Sequence, residues 1–165
     1  MGEVIKDHDR LASILEGLRA GGKRLIFCNG CFDVVHVGHI RCLSGAKALG
    51  GVLVVGVNSD SSVKEIKGPK YPLMPEDERM EIVAAIRGVD YVTCFSEPSA
   101  DSIILKLRPD VHAKGTDYTP ENVPERETVL SYGGEIAIVG DPKDHSSTHL
   151  KERLLKKGHT LKGNP

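Results

Sequence analysis

Two histidines flank a glycine at residues 36–39, where an apolar run gives way to a helical pattern. The first turn of a helix has backbone N–H groups that lack partners inside the helix, and such a position attracts anions. Gly38 adds no side chain that would keep a ligand away from the backbone. We therefore favour contact with phosphate over a purely structural role for His36 and His39. Zinc is an alternative, but a zinc site needs three or four protein ligands, and no carboxylate or third histidine has suitable spacing.

A C-x-x-C motif, formed by Cys28 and Cys31, overlaps the start of the same segment. A thioredoxin-like redox site would place this motif at a helix N-terminus, whereas Cys28 ends an apolar strand pattern. A zinc site would need two further ligands, and the sequence has no second C-x-x-C. Packing at a strand end is the favoured interpretation, with redox or metal use as the alternative. Together with Cys42 and Cys94, both are expected to be free thiols in a reducing compartment.

The composition restricts both the fold and the partners. The chain has 165 residues, of which 39% are hydrophobic and 4% aromatic, and it contains no Trp. That length suits one domain, and the aliphatic bias suits helices packed on a parallel sheet. The formal net charge of −1 provides no global basic field, so nucleic acid is not an expected partner.

Targeting features are missing from the sequence pattern. No segment approaches the roughly 20 apolar residues of a membrane span. Residues 1–7 lack the basic and apolar regions of a signal peptide. We therefore expect a cytoplasmic protein without a membrane partner.

Apolar runs alternate with helical patterns along the chain. The runs predict five strands, at residues 24–29, 52–57, 91–95, 111–114 and 135–139. This alternation predicts an α/β fold, with a Rossmann-like, doubly wound, mostly parallel five-stranded sheet in a single domain. We expect an N-terminal helix within residues 1–22, packed on a main domain of residues 23–157, and a frayed tail at residues 158–165.

Polar residues follow four of the five predicted strands at their carboxyl ends. They lie at residues 29–39, 58–59, 115–118 and 146–148. In a doubly wound sheet, ligands bind outside the carboxyl ends of the strands, near the point where the strand order reverses. The sequence therefore predicts that these four loops meet at one site.

The run Asn29-Gly30-Cys31-Phe32-Asp33-x-x-His36-x-Gly38-His39 resembles the signature of the H-x-G-H nucleotidyltransferases, the cytidylyltransferase-like superfamily. Further matches are residues 57–63, Lys67-Gly68-Pro69, Glu78-Arg79, residues 108–111, Lys114-Gly115-x-Asp117-Tyr118 and Ser146-Ser147-Thr148. Together these motifs, within residues 22–155, resemble the adenylyltransferases that act on D-glycero-D-manno-heptose 1-phosphate in lipopolysaccharide precursor synthesis.

The resemblance implies a direct transfer of AMP. A phosphate oxygen of a sugar phosphate would attack the α-phosphorus of ATP, and pyrophosphate would leave. The acceptor is already anionic near neutral pH, so no general base is required, and the enzyme must mainly hold and neutralise two polyanions. Mg²⁺ is the implied counterion, held mostly by the triphosphate rather than by protein ligands. A homodimer is also implied.

Residue roles follow by similarity. The catalytic residues implied are His36, His39, Lys67 and Arg79, with Lys67 on a mobile loop that closes over the site. Residues implied to bind the nucleotide are Asn29, Gly30, Cys31, Phe32, Asp33, Gly38, Lys114, Gly115, Asp117, Val139, Ser146, Ser147 and Thr148. Those implied to bind the acceptor are Asn58, Lys64, Lys70 and Tyr118. Phe32 and Asp33 are expected to support the site rather than to react, with Asp33 orienting its loop through backbone N–H groups.

Simpler interpretations remain open for several of these residues. The lysines at 64, 67 and 70 would suit a solvated loop, and Arg79 would suit pairing with Glu76 or Glu78. The hydroxyls of residues 146–148 would suit helix capping. Thr116 stands where the family usually has a small residue. At the level of function, the alternatives are a CTP-dependent cytidylyltransferase for a phosphorylated alcohol and a nucleotide-binding module without catalysis.

Overall fold

The computed structural model describes residues 1–141. Its strands are β1 (Glu3–Val4), β2 (Leu25–Gly30), β3 (Val52–Asn58), β4 (Tyr91–Phe95), β5 (Val111–Gly115) and β6 (Glu135–Val139). Its helices are α1 (His8–Ala20), α2 (Val37–Ala48), α3 (Asp60–Lys67), α4 (Glu76–Ala84), α5 (Asp101–Leu107) and α6 (Arg126–Ser131). The predicted last helix and the predicted tail at residues 158–165 lie outside the described residues.

The strands form one parallel sheet in the order β1-β4-β3-β2-β5-β6. The predicted doubly wound α/β fold is confirmed. The predicted number of strands was too low, because β1 pairs Glu3 with Tyr91 and Val4 with Val92 at the edge of the sheet. A two-residue strand is too short to produce an alternating or continuous apolar pattern.

Helices cover both faces of the sheet, which gives two apolar layers. On one face, Leu43 and Ala46 of α2 and Met80 and Val83 of α4 pack against the strands. On the other face, α1, α5 and α6 contribute residues that include Leu11, Leu15, Ile104 and Val129. The four inner strands, β2 to β5, are therefore largely buried on both sides, as their continuous apolar sequences require.

The strand order reverses between β2 and β5. The chain passes outward from β2 through β3 to β4, and then crosses back to β5 and β6 on the other side of β2. The loops that leave β2 and β5 therefore diverge, and they open a crevice at the carboxyl ends of these two strands. None of the helices within residues 1–141 combines the length and the apolar character needed to cross a lipid bilayer.

Candidate functional site

A cavity of about 550 Å³ opens at the carboxyl ends of β2, β3, β5 and β6. Most of the predicted site residues line it, namely Asn29, Gly30, Cys31, Phe32, Asp33, His36, Gly38, His39, Asn58, Lys67, Lys114, Gly115, Asp117, Tyr118 and Val139. Lys64, Lys70 and Arg79 are not among its lining residues. Ser146, Ser147 and Thr148 lie outside the described residues. The loops after β2, β3 and β5 thus converge at one edge of the sheet.

The two histidines cap the helix that they begin. His36 is the N-cap of α2, and its Nδ1 accepts a hydrogen bond from the Gly38 amide at 3.1 Å. In return, His39 Nδ1 accepts from the His36 amide at 3.3 Å. Their rings lie 3.9 Å apart between centroids. This reciprocal pair satisfies two amides at the helix start and fixes the direction of both rings.

These contacts also determine where the imidazole protons lie. Because Nδ1 accepts in both rings, the proton of each neutral ring must be on Nε2. Burial, and after it the neighbouring His36 and Lys67, lower the pKa of His39 to about 4. His39 is therefore neutral near pH 7, and it can contribute an N–H donor rather than a full positive charge.

The loop between β2 and α2 is held in an unusual conformation. Phe32 has a left-handed backbone with φ of 49°, which is uncommon for a residue with a bulky side chain. Its buried ring packs 5.2 Å from the ring of His39. Asp33 is buried, and its Oδ1 accepts hydrogen bonds from the amides of Leu73 and Met74 at 2.6 and 3.3 Å. These bonds tie the loop to the segment before α4.

Lys114 belongs to a buried polar network beneath the cavity. Its ammonium lies 3.1 Å from Glu125 Oε2 and 2.8 Å from Asn29 Oδ1, and Lys114 and Glu125 are both buried. His112 Nε2 lies 3.0 Å from the same Asn29 oxygen. Burial and the charge of Lys114 lower the pKa of His112 to about 3, so this ring is neutral and donates from Nε2. The network fixes the orientation of the Asn29 amide.

Glu125 was missed by sequence reasoning. It stands in a charged stretch, Pro124-Glu125-Arg126-Glu127, that is typical of a solvated helix start. Glu125 matters because Lys114 is buried. The local sequence around Lys114 does not indicate that this lysine, at the end of a strand, is shielded from solvent. A buried lysine requires a partner, and the fold supplies Glu125 from the loop before α6.

Arg79 lies behind the cavity wall. The side chain is fully buried, and its Nε donates to the Met74 carbonyl at 2.9 Å. Nη1 donates to the carbonyls of Cys31 and Asn58 at 2.6 and 2.7 Å, and Nη2 pairs with Asp60 at 2.7 Å. Four of its five N–H donors are thus used within the protein, and contact between Arg79 and substrate stays a prediction.

The predicted lysine loop is in part a helix. Lys67 is the last residue of α3, and it lines the cavity. The polar connection starts only afterwards, at Gly68, where φ is 96°. Lys64 and Lys70 are both exposed. Lys67 therefore reaches the cavity from the end of a helix, and closure of the following loop over the site stays a prediction.

Metal-binding groups are few near the cavity. Among residues 1–141, no cluster of three or more His, Cys, Asp or Glu side chains could hold a metal ion. The carboxylate of Asp33 accepts backbone amides, Glu125 pairs with Lys114, and Asp141 pairs with Arg41 at 3.0 Å. This donor set fits a cation that takes most of its oxygen ligands from bound phosphates.

Comparison with known families gives one match over most of the chain. The model of a family described as cytidylyltransferase-like matches residues 27–153. Among curated proteins, the Bifunctional protein HldE of Pelobacter propionicus is 47% identical over 153 residues, which are 93% of this chain and 31% of that protein. The protein of the same name from Geobacter metallireducens is 46% identical over 152 residues, 92% of this chain and 31% of that protein. The chain thus spans about a third of the length of these relatives.

Solved structures share the fold. A lipopolysaccharide core biosynthesis protein from Thermoplasma volcanium superposes with a TM-score of 0.63 and 26% identity, over 74% of this chain and 100% of that chain. A pantoate–β-alanine ligase from Francisella tularensis, determined with an ATP compound and β-alanine, gives a TM-score of 0.60 over 90% of this chain and 69% of that chain. At 16% identity, the second likeness is one of fold alone.

Proposed function

The chain belongs to the cytidylyltransferase-like family of nucleotidyltransferases, and from this membership we propose that it transfers AMP from ATP to heptose 1-phosphate. The products are an ADP-sugar and pyrophosphate. The observation that carries the proposal is the position of the H-x-G-H segment, which forms the first turn of α2 and lines the cavity at the strand-order reversal. The choice of sugar is supported by the similarity to proteins named HldE and to a lipopolysaccharide core biosynthesis protein of known structure.

The transfer is a direct displacement at phosphorus. An oxygen of the acceptor phosphate bonds to the α-phosphorus of ATP, and the bond from that phosphorus to the bridging oxygen breaks. Pyrophosphate leaves with the electron pair of the broken bond. The acceptor oxygen carries no proton to be removed near neutral pH, so catalysis consists of alignment and charge stabilisation.

Residues at the start of α2 and the end of α3 can stabilise negative charge on the phosphates. His36 and His39 offer Nε2–H donors, and the first turn of α2 adds the partial positive charge of a helix N-terminus. Lys67 adds a full positive charge close to His39. Donors that are already oriented need no rearrangement as charge develops on the transferred and leaving phosphates. We propose these three side chains as the catalytic residues.

The other predicted contacts remain proposals with adjusted roles. We propose that the nucleotide lies along Gly30, Gly38 and Gly115, and that the acceptor approaches from Asn58 and Tyr118. Arg79 is proposed to act through the backbone of the site rather than on substrate. Mg²⁺ is proposed to be held by the triphosphate, where it neutralises phosphate charge, with Asp117 as the nearby carboxylate of the cavity. A homodimer and a domain of residues 23–157 are likewise proposed.

Substrate identity can be tested by measuring pyrophosphate release. ATP and CTP would each be supplied with heptose 1-phosphate, glycerol 3-phosphate and an amino-alcohol phosphate, and His39→Ala would control for contaminating activity. We expect turnover with ATP and heptose 1-phosphate. Turnover with CTP alone would support the cytidylyltransferase alternative. Binding of ATP without transfer to any acceptor would support a non-catalytic module.

A further inference from the structure

The side-chain amide of Asn58 lies between the cavity and the helix that follows β3. Asn58 is the last residue of β3, is 4% exposed, and lines the cavity. Its Nδ2 donates a hydrogen bond to Ser62 Oγ at 2.9 Å. Its Oδ1 lies 4.0 Å from Cys31 Sγ. The two polar atoms of one buried amide therefore have different surroundings.

The hydrogen bonds of Ser62 determine which way this amide faces. Ser62 lies on α3 and is fully buried, outside the cavity wall that residues 1–141 form. Its hydroxyl donates its single proton to the Glu97 carbonyl at 2.9 Å, so the Ser62 oxygen must accept from Asn58. An amide donates from nitrogen alone, and Nδ2 is therefore the atom beside Ser62. The reverse orientation would place two acceptors against each other.

The oxygen of Asn58 has one weak partner among residues 1–141. That partner is Cys31, which lines the cavity and, like the other three cysteines of the chain, is a free thiol. A thiol is a weak donor, and at 4.0 Å its contact with the Asn58 oxygen is long. Because Cys31 belongs to the cavity wall, the acceptor side of the amide is the side turned towards a ligand. Its capacity to accept a hydrogen bond is largely unused.

A ligand group that binds this oxygen must supply a proton. Phosphate oxygens near neutral pH are negatively charged acceptors, so an amide oxygen does not attract them. A hydroxyl can donate, and both a sugar phosphate and the ribose of a nucleotide carry hydroxyls. Asn58 is at the end of β3, close in sequence to Lys67, whereas Gly115 is at the end of β5 on the other side of β2. The position of Asn58 therefore favours a hydroxyl of the acceptor over one of the ribose.

We propose that Asn58 is a specificity-determining residue that accepts a hydrogen bond from a hydroxyl of the acceptor, and that Ser62 is the positioning residue that keeps the Asn58 oxygen towards the cavity. This assignment rests on the proposed function, because it concerns the acceptor of that reaction. An acceptor without a hydroxyl would cover the Asn58 oxygen and leave it unpaired, which costs binding free energy. The site thus selects phosphate monoesters that carry a hydroxyl.

The test compares acceptors that differ in their hydroxyls. Heptose 1-phosphate is paired with cyclohexyl phosphate, and glycerol 3-phosphate is paired with propyl phosphate. Pyrophosphate release gives kcat/KM for each acceptor. Calorimetry gives its Kd on protein saturated with α,β-methylene-ATP, which cannot release pyrophosphate. We expect wild type to prefer the hydroxyl-bearing member of a pair, and Asn58→Leu to reduce that preference about 3- to 10-fold, the equivalent of one neutral hydrogen bond.

Ser62→Ala tests the positioning role. Without the Ser62 hydroxyl the amide of Asn58 can turn either way, so we expect the preference to fall as in Asn58→Leu, with little change in the KM for ATP. The matched control is Ser61→Ala, because Ser61 is an exposed neighbour on α3 whose hydroxyl contacts Ser59. Asn58→Asp keeps an acceptor oxygen and should keep the preference, although its charge weakens binding of both phosphates.

Several results would overturn the proposal. Wild type without a preference in either pair would do so, and so would variants that lower turnover with both members of a pair equally. If Asn58→Leu instead removes a preference for ATP over 2′-deoxy-ATP or 3′-deoxy-ATP, the hydroxyl belongs to the ribose. If it raises the Mg²⁺ concentration needed for half-maximal turnover with both members of a pair, the oxygen binds the metal ion.

Failure of the proposed function would look different. If no acceptor releases pyrophosphate, the Kd values on the complex with α,β-methylene-ATP still decide the role of Asn58. If glycerol 3-phosphate reacts and heptose 1-phosphate does not, the proposed sugar is wrong, and the preference for glycerol 3-phosphate over propyl phosphate decides the role of Asn58. If heptose 1-phosphate reacts and Asn58→Leu keeps the full preference over cyclohexyl phosphate, the proposed function stands and the role of Asn58 is refuted.

Discussion

The ring of His39 is held by three contacts. It lies 3.9 Å from the His36 ring and 5.2 Å from the Phe32 ring between centroids, and its Nδ1 accepts the His36 amide. These contacts orient Nε2–H before any ligand arrives. Because the ring is neutral near pH 7, its contribution depends on direction more than on charge. A donor oriented in this way is most valuable where charge develops during the reaction.

Replacing His39 by Ala is therefore expected to affect turnover more than binding. Loss of one preorganised donor typically lowers kcat about 100- to 1000-fold. Steady-state kinetics would give kcat, and isothermal titration calorimetry would give the Kd for ATP, which we expect to change much less. His8→Ala provides the control, because His8 lies on α1 and contacts the Cys94 carbonyl. An equal loss of ATP affinity and turnover would contradict a role in the transition state.

Glu125 is expected to matter for stability because it compensates a buried charge. Removing one partner of a buried ion pair costs about 3–5 kcal/mol in unfolding free energy. We expect Glu125→Gln to approach the lower end of that range, since the amide can still accept from Lys114. The matched control is Glu127→Gln, because Glu127 pairs with Arg126 at 2.7 Å but is itself largely in solvent. An exposed pair of this kind contributes under about 1 kcal/mol. Urea unfolding of both variants would show whether burial makes the difference.

Arg79 lies on α4 and shapes the site through contacts within the protein. Its side chain reaches from α4 to the loop after β2, the end of β3, and Asp60 at the start of α3. It also holds the carbonyl of Met74, in the segment that leads into α4. One guanidinium thus joins two strand ends to two helix starts. The shape of the cavity depends on these hydrogen bonds, because the segments that Arg79 connects place Cys31 and Asn58 in the cavity wall.

Arg79→Met is expected to reduce both stability and turnover. The substitution leaves three carbonyls and one carboxylate without their donor, and we expect a loss of about 3–5 kcal/mol in unfolding free energy. The exposed Arg87, just beyond the end of α4, provides the control substitution Arg87→Met, with an effect within about 0.5 kcal/mol. Urea denaturation and steady-state kinetics would be measured on the same samples. Lost turnover with unchanged stability would instead indicate a direct contact between Arg79 and substrate.

The elements differ in how well the sequence predicted them. The continuous apolar run at residues 52–57 became β3 (Val52–Asn58), because a strand buried on both faces needs that pattern. β1 was missed because two residues carry no periodicity. The family resemblance placed Lys67 on a loop, but α3 continues to Lys67 and is capped by Gly68. The cavity residues of the H-x-G-H segment were predicted from type and spacing, whereas Arg79 and Glu125 depend on long-range burial that a local pattern does not contain.

The whole molecule combines a nearly neutral net charge with two histidines that the fold keeps uncharged. His39 has a pKa of about 4 and His112 a pKa of about 3, in both cases chiefly because burial disfavours the charged ring. In the unfolded chain, both rings would titrate near the ordinary value of about 6.5. Between these values the unfolded state binds more protons than the folded state. The free energy of unfolding therefore decreases as the pH falls.

We accordingly expect stability that is fully present above about pH 6.5 and that is lost as the pH falls towards 4 and then 3. Urea unfolding at constant ionic strength, from about pH 7 down to about pH 4, would measure the decline. His112→Gln keeps an N–H donor near the position of Nε2 but cannot titrate, so its curve should fall less steeply than that of wild type. At about pH 7, the difference in unfolding free energy between His112→Gln and wild type gives the effect of the substitution on packing. The change of that difference at lower pH gives the effect of the missing titration. Parallel curves for the two proteins would show that the fold does not lower the pKa of His112, and they would contradict the neutral ring inferred in the network with Asn29.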